Sequence, residues 1–130
     1  MPSNKDLDDG MFEEMGQLAD LKKKTHQDRD RVYGYFNDFL KKNRVINDLE
    51  DLEELIKTKE GRAKFSKYHA AYFYSLRVRD NEFPKLATAE SMRSHIKNKI
   101  LKDFCIDFTN PESFPSEQVN WRKYTIKLTM

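Results

Sequence analysis

The sequence predicts an all-α protein, folded as a compact bundle of four to five main helices. Apolar residues recur at spacings of three and four in each apolar segment, which is the period of a helix buried on one face. Only 4 glycines and 4 prolines interrupt the 130 residues. Charged residues make up 35% and hydrophobic residues 38% of the chain, a polar balance that favours helices. The length predicts one domain.

The segment before residue 25 is predicted to consist of a disordered end and a short helix. Residues 1–10 are polar and acidic and are predicted to be disordered. A short amphipathic helix follows, with Met11 and Met15 on its apolar side and with Gly16 weakening it. It ends at Lys22–Lys24, whose positive charge suits a helix C-terminus. The alternative role for these lysines is a phosphate contact.

A stronger helix is predicted from Asp28 to Asn43. Its aromatic residues repeat at helical spacing, so we expect them in the core rather than stacked on bases. The predicted apolar stripe consists of Val32, Tyr35, Phe36, Phe39 and Leu40.

A third helix, capped by Asn47, is predicted to end near Lys57. Its buried side would hold Leu49, Leu52, Leu55 and Ile56. Its outer side is acidic and carries Asp48, Glu50, Asp51, Glu53 and Glu54. We expect this acidic side to point away from any DNA and to be solvated. The alternative is that it contacts a protein partner.

Two further helices, 61–79 and 88–104, form the centre of the prediction. The apolar side of the first holds Phe65, Tyr68, Tyr72, Phe73 and Leu76; that of the second holds Ala89, Met92, Ile96, Ile100 and Phe104. Between them, Asp80-Asn81 has turn chemistry and Pro84 prevents one continuous helix. Thr88 is the predicted N-cap of the second helix.

Positive charge distinguishes this helix pair from an ordinary helical hairpin. The range 61–79 contains no acid and carries Arg62, Lys64, Lys67, Arg77 and Arg79. The second helix adds Arg93, Lys97, Lys99 and Lys102, and its outward stripe holds Ser91, Ser94, His95, Asn98 and Lys102. These side chains suit base edges and phosphates in a major groove. The alternative is an ordinary solvated helix face.

The same stretch resembles the core-binding domain of tyrosine recombinases, most of all the Crypton-type recombinases and the cellular proteins similar to them. That family has an aromatic-rich helix ending in Leu-Arg, a turn, an aromatic residue and a Thr-led helix. The matching positions are Leu76-Arg77, Asp80-Asn81, Phe83, Thr88 and Ser91-Met92-Arg93. Asn81 replaces the usual Gly, which is tolerable because Asn accepts a positive φ. The segment 107–114 also resembles the family, and the resemblance covers roughly residues 30–124.

The C-terminal part is predicted to be a loop followed by one helix. Residues 107–115 contain two prolines, an Asn and a Ser, which favour a loop. Ser116 would cap a last helix that runs through Tyr124, with Val119 and either Trp121 or Tyr124 facing inward. Residues 125–130 are expected to form a C-terminal tail or linker, either helical or frayed.

No catalytic or metal-binding pattern is recognisable. The single cysteine, Cys105, excludes an intramolecular disulfide and a cysteine-based zinc site; lying between Phe104 and Ile106, it is expected to be buried and inert. His26, His69 and His95 are too scattered for a metal site, and no cofactor motif is present. The recombinase resemblance implies that the catalytic Arg, His and Tyr residues belong to a separate domain, so we expect this chain to be non-enzymatic.

These observations predict a DNA-binding domain over residues 11–124, with duplex DNA as its partner. The net charge is only +2, so affinity for DNA must come from segregated charge. Base contacts are assigned to Ser91, Ser94, His95 and Asn98, and phosphate contacts to Arg77, Arg79, Arg93, Lys97 and Lys102.

The alternative is a helical protein-interaction module. It would use the acidic third helix and the helix of Met11 and Met15, which is also the expected surface for self-association. No segment has the length or apolarity of a membrane span or of a signal-peptide core, so neither alternative involves a membrane. Together with the single cysteine, this indicates an intracellular protein, and DNA binding would place it in the nucleus.

Overall fold

The computed structural model describes residues 27–129, and over this range the chain is helical with no β-strand. The five α-helices are α1 (27–42), α2 (Glu50–Leu55), α3 (Lys59–Ser75), α4 (Leu86–Phe104) and α5 (Pro115–Thr129), with a short 3₁₀ turn at Arg79–Asn81. The predicted all-α class is confirmed for this range. The predictions for residues 1–10, for the helix of Met11 and Met15 and for Lys22–Lys24 lie outside it.

Helices α3 and α5 run parallel and form the centre of the protein. Phe65 contacts Phe114 at one end of their interface, with 5.9 Å between ring centroids. Further along, Phe73 contacts Trp121, with 5.0 Å between centroids. Aromatic rings that pack edge to face add to the free energy of burial. The largest fully buried side chains are Phe36, Leu40, Leu52, Ile56, Phe65, His69, Phe73, Ile96, Ile100, Phe108, Phe114 and Tyr124.

The buried side of helix α1 differs from the predicted one. Tyr33 is only 4% exposed, whereas Tyr35, which was predicted to be buried, is 58% exposed. Tyr33 lies three residues before Phe36 and is on the same side of the helix. Tyr35 directly precedes Phe36 and points about 100° away from it around the helix axis. The burial of Val32, Phe36 and Leu40 is confirmed.

Helix α2 is shorter than predicted, and its cap differs. Asn47 is not the cap; instead, the Asp51 carboxylate accepts hydrogen bonds from the backbone N–H groups of Asn47 and Asp48, at 2.9 and 3.0 Å. The helix then begins at Glu50, with Leu49 flanking it and exposed to solvent. Leu52 and Ile56 are buried as predicted.

Helix α3 begins two residues earlier than predicted. The Thr58 hydroxyl accepts a hydrogen bond from the N–H of Gly61 at 3.0 Å and caps the helix. A Cβ at Gly61 would lie 1.6 Å from the carbonyl oxygen of Leu55, so no larger residue fits where α2 meets α3.

The predicted bounds of the helices 61–79 and 88–104 are wrong on both sides of the turn that joins the two helices. Helix α3 already ends at Ser75, because Leu76 is extended. Asp80 and Asn81 both have a positive φ, 58° and 61°, which confirms the prediction for Asn81. Helix α4 begins at Leu86, directly after the extended Lys85, so Thr88 lies inside its first turn and is not the cap.

The end of α4 overturns the prediction for Cys105. This residue adopts a left-handed conformation with φ of 57° at the helix C-terminus. That backbone geometry terminates the helix and turns the thiol out of the apolar side, and the side chain is exposed.

Helix α5 differs from the prediction at its N-terminus. It begins at Pro115, so Ser116 lies inside the helix and is not its cap. It continues through Thr129, which agrees with the helical alternative for the residues after Tyr124. Proline suits the first helical position because the missing N–H would have no helical partner there. Tyr124 is buried as predicted, but Val119 is exposed.

Candidate nucleic-acid interface

Helix α4 lies antiparallel to α5 and presents a polar outer side. Arg93 contacts Glu117 near the start of α5. Phe83, which precedes α4, lies 6.3 Å from Tyr124 between ring centroids, further along α5. Ile96 and Ile100 face the core, which leaves the opposite side of α4 to solvent. The residues of that outer side are Ala87, Ser91, Ser94, Asn98, Leu101, Lys102 and Cys105.

We call these seven residues the outer face of α4. Ser91, Ser94 and Lys102 are exposed and Asn98 is partly exposed. Four of the nine sequence-predicted contacts therefore lie on one continuous stripe. No carboxylate belongs to this stripe, since Glu90 lies at its edge and Asp103 on another side of the helix. The stripe offers hydroxyl, amide and ammonium groups without a fixed negative charge.

Arg93 lies on the α5 side of the helix and is held there. Its Nη2 and Nε atoms donate hydrogen bonds to Oε2 of Glu117, at 2.8 and 3.2 Å. The guanidinium also lies 4.8 Å from the ring centroid of Trp121. The carboxylate and the aromatic ring together hold this partly exposed guanidinium against α5. The structure thus gives this predicted phosphate contact a structural role as well.

The carboxylate that holds Arg93 was not recognised in the sequence. Glu117 is 1% exposed, and its Oε1 lies 2.8 Å from Nδ1 of His69, which is also 1% exposed. The His69 ring packs against Phe73 and Phe108, with centroid distances of 5.1 and 4.8 Å. A sequence signal does exist: His69 repeats with Phe65 and Phe73 at a spacing of four, and Glu117 precedes Tyr124 by seven.

A cavity opens beside Arg93, between α4, α5 and the loop that joins them. It has a volume of about 240 Å³ and is lined by Glu90, Arg93, Ser94, Lys97, Thr109 and Trp121. Asp107 lies nearby, and burial alone would raise its pKa. Two groups of interactions outweigh burial and lower the pKa of Asp107. They are the hydrogen bonds from the Thr109 side chain and backbone and the positive charges of Lys97 and Arg93. Acids and cations are therefore mixed on this side of α4.

The two predicted arginines of the α3–α4 turn differ from each other. Arg77 donates hydrogen bonds to the carbonyl oxygens of Tyr74 and Leu76, at 2.6 and 2.8 Å, and its guanidinium lies 3.9 Å from the ring centroid of Phe83. It therefore closes the end of α3, where the last carbonyl groups have no helical partner. Arg79 is exposed in the turn.

His95 lies at the edge of the outer face, towards α1. Its Nε2 atom is 3.5 Å from the Ser91 hydroxyl. Burial, followed by the positive charge of Arg29, lowers the pKa of His95, and Asp28 opposes this shift. This shift favours the neutral ring, which has one donor and one acceptor nitrogen.

The described part of the chain was found to hold neither a metal-ligand cluster nor a candidate membrane span. Among residues 27–129, no group of His, Cys, Asp and Glu side chains is arranged to hold a metal ion. Over the same range, no helix is both long and apolar enough to cross a membrane.

The structure thus brings some of the predicted residues together and separates others. Ser91, Ser94, Asn98 and Lys102 share the outer face; Arg93, Ser94 and Lys97 line the cavity; Arg77 and Arg79 lie in the α3–α4 turn. Compared with protein-family models, curated proteins and solved structures, the chain matches none of them.

Proposed function

We propose that this chain is a non-catalytic DNA-binding domain that grips duplex DNA with α4 and the turn before it. The observation that carries the proposal is the outer face of α4, where Ser91, Ser94, Asn98 and Lys102 lie on one solvent-facing stripe with Ala87, Leu101 and Cys105 and without a carboxylate. An α-helix fits the major groove of B-DNA, where hydroxyl, amide and ammonium groups meet base edges and phosphates.

The side chains divide into three roles. Ser91, Ser94 and Asn98, with His95 at the edge, face the bases. Arg79, Lys97 and Lys102 contact phosphates. Within residues 27–129 the side chains of Arg79 and Lys102 have no hydrogen-bond or ion-pair partner, and Lys97 acts on Asp107 only as a nearby charge. Arg77 and Arg93 mainly position α4, because their guanidinium groups already bind protein acceptors.

The recombinase resemblance supports the same proposal. Its matching positions, from Leu76 to Arg93, include the turn and the first half of α4. Under this proposal the bundle is of the recombinase core-binding type. The domain acts in DNA recombination, or derives from a protein that acted in it, and is located in the nucleus. In the family that the chain resembles, catalysis uses Arg, His and Tyr residues of a separate domain.

The first test measures the salt dependence of duplex binding by fluorescence anisotropy. Each phosphate contact contributes about −0.9 to the slope of log K against log salt concentration. Lys97→Ala combined with Lys102→Ala should weaken binding to all duplexes alike and flatten the slope by about 1.8.

The matched control for this test is Lys64→Ala with Lys67→Ala, which removes the same charge from exposed positions on α3. The control should keep the wild-type slope. If the α4 variant also keeps it, the assignment of this interface is wrong.

The second test concerns sequence preference. Asn98→Ala should reduce discrimination among duplexes by about 1–3 kcal/mol if its amide makes a bidentate base contact. The readout is selection from a randomised duplex pool, with wild type and variant compared at one salt concentration. A variant that selects the same sequences as wild type would exclude Asn98 as a base contact.

The alternative function is protein interaction, and one observation favours it. Val119 and Ile126 on α5, and Leu49 directly before α2, are exposed apolar residues that do not belong to the outer face of α4. A domain that fails both DNA tests but binds a protein through these positions would be an interaction module. The predicted self-association through the helix of Met11 and Met15 lies outside the described residues.

A further inference from the structure

The outer side of α5 is partly apolar and is not covered within the described range. Val119 and Ile126 are 52% and 53% exposed and lie two turns apart on the same side of the helix. Between them lie Arg122 and Lys123, both exposed and without an ion pair in residues 27–129. Together with Gln118 they surround a shallow cavity of about 300 Å³. We call these five residues the basic face of α5.

Helix α2 offers the opposite charge. Glu50, Glu53 and Glu54 are exposed on the side opposite the buried Leu52. Lys57 pairs with both Glu53 and Glu54, at 3.7 and 3.0 Å, and Glu50 has no ion pair within residues 27–129. Leu49 adds an exposed apolar side chain at the edge. We call Leu49, Glu50, Glu53 and Glu54 the acidic face of α2.

The two faces match each other in chemistry. Each has apolar side chains beside charged ones, and the charges are opposite in sign. Both helices turn their buried sides to the common core: Leu52 of α2 and Tyr124 of α5 are each fully buried. Their outer sides are therefore left for contacts between molecules.

We propose that the basic face of α5 docks on the acidic face of α2 in a second copy of this chain. Because each copy carries both faces, a two-fold dimer would make the contact twice. Val119 and Ile126 would lose water against Leu49 and the aliphatic parts of the acidic side chains. Arg122 and Lys123 would set the orientation and accelerate association, an effect that salt screens.

The experiment is a charge swap followed by sedimentation velocity over a range of concentrations. One variant carries Arg122→Glu and Lys123→Glu, and the other carries Glu50→Lys and Glu53→Lys. Each variant alone should show a dissociation constant raised on the order of tenfold or more, because like charges then face each other. An equimolar mixture of the two should recover the association, since opposite charges meet again at both contacts.

Controls separate the proposal from a loss of folding and from the DNA interface. Circular dichroism should show wild-type helix content in each variant, and Lys64→Glu with Lys67→Glu should leave the dissociation constant unchanged. A wild-type chain that stays monomeric at every concentration, or a mixture that does not associate, overturns the proposal. So does loss of duplex binding in the Arg122→Glu/Lys123→Glu variant with its self-association unchanged, since α5 would then face DNA.

Discussion

The two sides of α4 carry similar charged residues and use them differently. On the side that faces α5, Arg93 is 20% exposed and binds Glu117, which is 1% exposed. On the outer face, Lys102 is exposed and has no carboxylate partner in residues 27–129. A charge beside the core must be paired, because desolvation is expensive, whereas a solvated charge contributes little to folding and is available for a ligand. Only three-dimensional position separates the two roles.

The largest expected effect comes from breaking the buried side. Glu117→Ala should lower the free energy of unfolding by about 3 kcal/mol, because it removes the acceptor of the Arg93 guanidinium and the partner of the buried His69 Nδ1. Urea denaturation followed by circular dichroism measures the loss. Lys102→Ala on the outer face should change stability by no more than about 0.5 kcal/mol.

A double substitution sharpens the same comparison. Arg93→Met with Glu117→Met should cost less than Glu117→Ala alone, since no unpaired charge remains buried and the volume is largely kept. Equal losses for the double variant and for Glu117→Ala would mean that the ion pair is not what makes this side of α4 sensitive.

A smaller, pH-dependent effect is expected at the edge of the outer face. The folded-state pKa of His95 is lowered by burial and by Arg29, so the neutral ring is favoured by folding. Its contribution to stability is present above its unfolded pKa of about 6.5 and is lost as the pH falls through the lower folded value. Thermal unfolding from pH 8 to pH 5 should therefore show an acid-side loss that is reduced in His95→Gln. Identical pH profiles for the wild type and His95→Gln would show that His95 does not contribute to the pH dependence of stability.

The smallest effect is expected at Cys105, where α4 ends. Because its thiol is exposed, a thiol reagent should label the native protein almost as fast as the denatured one. The measurement is the labelling rate at one pH with and without denaturant. Strong protection in the native state would show that the end of α4 is covered and would shorten the outer face by one residue.

The apolar repeats and the turn chemistry were sufficient to predict the helices that build this fold. Phe65, Tyr72 and Ile96 are buried as their spacing indicates, and Asn81 has the positive φ that its side chain tolerates. Exact boundaries depended on hydrogen bonds that only the fold reveals, such as those of Arg77 to the last carbonyl groups of α3.

The candidate site was predicted less completely, for a physical reason. The outer face of α4 follows from helical spacing alone, because its residues are close in sequence. The role of Arg93 depends on Glu117, 24 residues away, and no local pattern connects them. From sequence alone, charged residues at helical spacing are predicted to be solvated unless a buried partner is known. That partner, Glu117, is buried only through tertiary packing, which no local pattern reveals.

The contact between Glu117 and Arg93 has a consequence for any ligand of α4. It ties the middle of this helix to α5, while Ile96 and Ile100 anchor the same helix to the core. The outer face is therefore held in one orientation before a ligand arrives, and binding need not freeze a mobile helix. A preorganised surface avoids an entropic cost on association, so the affinity of the outer face depends in part on a carboxylate that never touches the ligand.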